Sequence, residues 1–124
     1  MLKKLLPLLI VPVLMGGCAA TFTNLTPRQQ VRNADNLYPV EVAMDSRQQT
    51  MRWHTIKPQI LVGDKAYEMR PTLLMTNRWE GLLPVGPGTN IVHYRYKLNY
   101  EYNAFGTPGH DSALSSEYTL RITD

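Results

Sequence analysis

The sequence predicts an all-β domain: two packed antiparallel sheets forming a sandwich of about seven strands. Three observations predict it. Val92, Tyr94, Tyr96, Leu98, Tyr100 and Tyr102 alternate strictly with His93, Arg95, Lys97, Asn99 and Glu101. Period two over such a run puts one set on a buried face and the other in water, whereas a helix would scatter both. The same alternation recurs in Tyr38, Val40, Val42 and Met44, and in Tyr118, Leu120 and Ile122. Clusters of Gly, Pro, Asn and Asp separate these short segments, and long Ala/Leu/Glu/Lys stretches are lacking. Without crossover helices, parallel pairing is not expected.

The elements follow in order. Residues 18–36 read as a tether and lead-in segment ahead of a domain over 37–124. Thr21-Phe22-Thr23 suits a first edge strand. Thr26 is a candidate N-cap, with Pro27 in the first turn of a single helical turn reaching Gln30. After the Tyr38–Met44 strand and a polar turn at Asp45-Ser46-Arg47, Thr50 to Ile56 forms the next strand. It places Met51 and Trp53 on one face, with Trp53 as a core plug, and Arg52 and His54 on the other. Lys57-Pro58 interrupts it, because proline cannot donate to a ladder. Gln59–Val62 and Ala66–Met69 are strands joined by a turn at Gly63-Asp64-Lys65, and Arg78 to Val85 is another. Residues 72–76 are apolar and ambiguous. Gly86-Pro87-Gly88-Thr89-Asn90 is the strongest turn signal. Phe105 to Ser116 reads as a Gly/Pro/Ser-rich loop before the final strand.

The N-terminus has its own logic. Lys3 and Lys4 precede an uncharged apolar run, Leu5 to Met15, and then Gly16, Gly17 and Cys18. This order of positive, apolar and small residues is that of a secretory signal peptide over residues 1–17. The run is shorter than the roughly 20 residues a membrane span needs. Pro7 and Pro12 also oppose an uninterrupted helix. Leu14-Met15-Gly16-Gly17-Cys18 resembles the lipobox of bacterial lipoproteins, with Met15 in place of the usual Leu. The resemblance implies that the only cysteine, Cys18, becomes the first mature residue and carries lipid chains. Ala19 resembles the residue that follows the cysteine in lipoproteins sent to the outer membrane. The expected address is therefore the bacterial cell envelope. Discarding Lys3 and Lys4 leaves 11 basic against 10 acidic side chains, so the basic balance of the whole chain gives no argument for nucleic-acid binding.

Leu83-Pro84-Val85-Gly86-Pro87-Gly88, followed by Tyr94-Arg95-Tyr96-Lys97, is similar to the hairpin of immunoglobulin-like "early set" domains. Fibronectin-type and glycogen-binding modules have similar hairpins. The likeness implies an immunoglobulin-like sandwich and says little about function.

Candidate chemistry is sparse. His110-Asp111-Ser112 places three catalytic residue types in a row, but adjacent residues rarely converge on one reacting atom, and no Gly-x-Ser-x-Gly elbow accompanies them. His54, His93 and His110 are the only imidazoles and lack metal-ligand spacing, so neither metal nor cofactor is expected. His54 and His93 could meet on a shared outer face if their strands pair. The row His93, Arg95, Lys97 and Arg121 forms a candidate basic sheet face for an acidic partner or anionic headgroups. Phe105 and His110 lie in the loop that is the other candidate binding site. Tyr100, Tyr102, Phe105 and Trp79 are the aromatics from which a sugar-stacking platform would be built.

The expected function is a lipid-anchored, non-catalytic envelope module. It is attached to the membrane through Cys18 and docks on an envelope protein. The competing expectation is a surface carbohydrate-binding or adhesive module, which requires its aromatic rings to be exposed.

Overall fold

The computed structural model describes residues 20–124, so residues 1–17, where a signal peptide is expected, and Cys18 lie outside the described residues. The strands are β1 (Ala20–Asn24), β2 (Gln29–Val31), β3 (Leu37–Ser46), β4 (Met51–Val62), β5 (Lys65–Glu68), β6 (Arg70–Pro71), β7 (Arg78–Pro84), β8 (Ile91–Tyr102), β9 (Gly109–Leu114) and β10 (Tyr118–Thr123). No helix occurs among the described residues. One sheet has the order β1-β3-β7-β6; the other runs β2-β10-β8-β4-β5, with β9 also paired to β8.

The core lies between the two sheets and follows the alternation. Tyr38, Val40, Val42 and Met44 of β3 are buried, as are Val92, Tyr94, Tyr96, Leu98 and Tyr100 of β8 and Leu120 and Ile122 of β10. The rings of Tyr94, Tyr96 and Tyr118 pack with centroids 5.6–5.9 Å apart, within the range of favourable edge contacts.

Two expectations about β4 are corrected. The strand runs unbroken through Pro58, which is buried opposite Leu98. Its pairing with β8 shifts between Arg52 and Lys57. That bulge changes the parity of the strand: Met51 faces the core before it, and Ile56, Pro58 and Ile60 after it. The Thr55 hydroxyl fills the gap in the ladder, donating to the Arg52 carbonyl at 2.6 Å and accepting the Glu101 N–H at 2.9 Å. Trp53, inside the bulge, is therefore only partly buried against the core. The core tryptophan is Trp79 on β7, which is 3 % exposed.

One expectation in the lead-in segment is corrected as well. Thr26 caps no helix; after β1 pairs with β3, the chain crosses to the other sheet and β2 runs parallel to β10, Gln29 beside Arg121. A parallel pair forms here without a crossover helix because its strands lie at opposite ends of the sequence, and the whole domain makes the return. At the crossing, Thr26 is buried. Its hydroxyl accepts the Glu41 N–H at 2.8 Å and lies 3.1 Å from the Tyr96 hydroxyl and 3.2 Å from the Glu41 carbonyl. Tyr96 donates to Asn24 Oδ1 at 2.7 Å, and Asn24 Nδ2 donates to the Tyr94 hydroxyl at 2.9 Å. This knot ties the N-terminal segment to both sheets, and burial raises the Tyr96 phenol pKa far above its ordinary value.

Turns fix the remaining order. Gly63, at φ +58°, makes the two-residue turn from β4 to β5. The chain then changes sheets again, since β5 pairs with β4 but β6 pairs with β7. The segment 85–90 is not a hairpin loop: it carries the chain from β7 in one sheet to β8 in the other. Gly and Pro mark a reversal without saying whether the reversing strands pair.

Candidate docking surface on the outer sheet face

His93, Arg95 and Lys97 do share the outward face of β8, and Arg121 joins them from β10, paired with Ile91 two residues beyond the Thr119–His93 pair. The row is less basic than its sequence suggests. Arg95 lies 3.5 Å from Glu117, and farther along the face Arg52 lies 3.2 Å from Glu101. These acids come from the turn before β10 and from β8 itself. Half-exposed pairs of this kind contribute little stability, but they neutralise the local field. Lys97 and Arg121 have no carboxylate within 4.0 Å among the described residues and carry the positive charge that remains. Lys57 adds to it beside Asn99. His93 Nδ1 lies 3.0 Å from the Thr119 hydroxyl, which fixes its ring against the neighbouring strand.

The 105–116 segment differs from its sequence reading. Gly109–Leu114 is strand β9, paired with β8 from Tyr102 to Lys97, and the open loop is only 103–108. Most of β9 is exposed, so no burial pattern marks it in the sequence. His110 and Ser112 face outward beside Glu101 and Asn99, while Asp111 lies beside Tyr100. Alternation thus separates Asp111 from the other two, and the three side chains do not converge. Burial first, and then the Asp111 carboxylate, raises the Tyr100 phenol pKa. Gly109 has a packing reason: a Cβ there would sit 2.2 Å from Tyr102, whose ring crosses it.

The aromatic platform is not assembled. Trp79 and Tyr100 are buried, Tyr102 is partly buried against the core, and only Phe105 stands fully in water. His54 and His93 also lie apart. His54 is in the bulge beside the Glu101 end of β8, whereas His93 sits at the other end of that strand. Among the described residues, no group of three His, Cys, Asp or Glu is placed to hold a metal.

The sequence reading missed the depression where the chain changes sheets. Tyr67, Met69 and Arg70 face Glu80 and Leu82 across it, and it is open to solvent. Only the short spacing between β5 and β6 could have signalled it. No known family, curated protein or solved structure matches the chain.

Proposed function

We propose that this protein is a bacterial lipoprotein, lipid-anchored through Cys18 in the cell envelope, whose β-sandwich is a non-catalytic docking module for another envelope protein. The observation that carries the reading is the arrangement of the N-terminus. A charged, apolar and glycine series ends on the only cysteine, and Cys18 stands two residues before Ala20, where β1 begins. Such a chain needs no long linker, and the lipid chains supply membrane affinity at about 0.8 kcal/mol per buried methylene.

The domain is read as immunoglobulin-like, and strand order supports this. Taken as one segment each, β1/β2, β5/β6 and β9/β10 reduce the ten strands to seven segments. Each of the first two pairs changes sheets, and the third lines one edge of β8. The resulting sheets match an A-B-E-D arrangement packed on a G-F-C arrangement. The docking face is the outer side of β8 and β10, with Lys97 and Arg121 as its free cations.

Cys18→Ala tests the anchor. It is expected to abolish lipid labelling and to leave an uncut precursor; labelling that survives the substitution rejects the reading. Lys97→Glu with Arg121→Glu tests the face by crosslinking in the native envelope. The wild-type chain is expected to capture a partner that the variant loses, and the wild-type capture should weaken with salt. Capture that is unchanged by both substitutions rejects the face.

A further inference from the structure

We propose that the end of the sandwich nearest Cys18 rests in the membrane surface, with Leu73, Leu74 and Phe105 inserted among the lipids; this rests on the lipid-anchor reading above. Ala20 pairs with Ser46, at the end of β3. Three connections reach the same end: residues 47–50, residues 72–77, where the Met44 N–H donates to the Asn77 carbonyl at 3.0 Å, and residues 103–108, where the Asn103 N–H donates to the Thr50 carbonyl at 2.8 Å. Asp124 lies at the opposite end, paired with Arg32 at 2.7 Å.

The three most exposed large apolar side chains of the described residues all sit in these loops: Phe105 at 107 %, Leu74 at 95 % and Leu73 at 84 %. Leu74 also occupies an unfavourable backbone state. The Met75 N–H closes a turn onto the Thr72 carbonyl at 3.0 Å, and Leu74 has φ +65° in its third position. Glycine or asparagine suits that position, because a larger L side chain meets the backbone there. Folding alone would favour either of those residues; a leucine holds an apolar group at the tip at conformational cost. The three loops carry a single charge, Arg47, which is positive; the acids beside them lie on β3, Asp45 near its end and Glu41, whose carboxylate accepts from the Thr72 hydroxyl at 3.4 Å. No acid within the loops opposes contact with anionic headgroups.

Distance completes the argument. Two residues span at most about 7 Å, so lipid on Cys18 holds Ala20, and with it this end, against the bilayer. The anchor makes loop insertion an intramolecular event, so even weak insertion is populated. Leu and Phe bury apolar surface there while the backbone turns stay at headgroup depth.

The test uses the full lipidated chain in vesicles of phosphatidylethanolamine and phosphatidylglycerol. Mass spectrometry first reads the lipid on Cys18, and amide hydrogen exchange then compares the vesicle-bound chain with the same chain in detergent. The expected result is slowed exchange on vesicles in residues 72–77 and 103–108, lost in the variant Leu73→Ser, Leu74→Asn, Phe105→Ser. Leu74→Asn alone, which suits the turn, is expected to lose part of it without lowering the melting temperature. Lipid on Cys18 with no slowing in the wild-type loops overturns the insertion while leaving the anchor standing. Slowing that rises with protein rather than lipid concentration assigns the patch to a second copy and also overturns it. A chain recovered without lipid on Cys18 refutes the anchor, and the proposal with it.

Discussion

Replacing Thr26 with valine removes a hydroxyl and little else, which makes it a clean probe of the knot between the sheets. The hydroxyl is the acceptor for the Glu41 N–H at 2.8 Å, and it stands where β1 has already ended and can supply no backbone partner. Valine leaves that donor part-buried without a partner, at about 1–3 kcal/mol. The Glu41 carbonyl still accepts from the Leu25 N–H at 2.9 Å, and Tyr96 still donates to Asn24, so no second group is orphaned. The expected loss is about 2 kcal/mol. With a urea m-value of about 1.5 kcal/mol/M, the unfolding midpoint falls by about 1.3 M. Thr26→Ser keeps every hydrogen bond and loses one methyl, at up to about 0.8 kcal/mol. Tyr96→Phe leaves each former partner with another bond and should cost about 1 kcal/mol. Equilibrium unfolding followed by tryptophan fluorescence reads all three. A valine variant within about 0.5 kcal/mol of wild type, or a serine variant as unstable as valine, refutes the reasoning.

Other expectations follow from the packing. Trp79→Ala should destabilise by about 3–5 kcal/mol, and Trp53→Ala distinctly less, since Trp53 is only partly buried; the same urea titration decides the order. Gly109→Ala should cost about 1–3 kcal/mol by forcing the Tyr102 ring aside, and much of that cost should vanish in a Tyr102→Ala background. Burial raises the folded-state pKa of Tyr96 above its unfolded value. The corresponding stability is therefore complete below pH about 10 and is lost as pH rises beyond it, by up to about 1.4 kcal/mol per pH unit. Midpoints measured on both sides of pH 10 should show this fall, and Tyr96→Phe should reduce it.

Legibility in the sequence depended on one-sided burial. β3, β8 and β10 face water on one side and the core on the other, so their alternation is visible in the residues themselves. β9 is wet on nearly all its length, and β2 has only three residues; neither has a burial rhythm to read. In β4, alternation extrapolated from Met51 named Trp53 as the core ring. A bulge shifts parity within the strand, and nothing local in the residues announces it. The β8 part of the outer basic row, His93, Arg95 and Lys97, was legible because it lies on one strand face. Glu101 is legible on that same face, but Glu117 is not, since it comes from a turn whose position depends on how β10 pairs. The exposed tips at Leu73, Leu74 and Phe105 were hidden for the opposite reason, since an apolar residue reads as buried until the fold places it.

The course of β1 also determines how the domain carries mechanical load. Ala20 and Asp124 emerge at opposite ends of the strands. A pull on Ala20 away from the sandwich, with the body held at its far end, is directed along β1 itself. Its hydrogen bonds to β3 are then strained together in shear, where unzipping would break them one after another. Beyond Asn24 the force meets the Thr26 and Tyr96 hydroxyls, and then β2 in register with β10. A tug on the N-terminus is thus shared between both sheets before any strand can slide free.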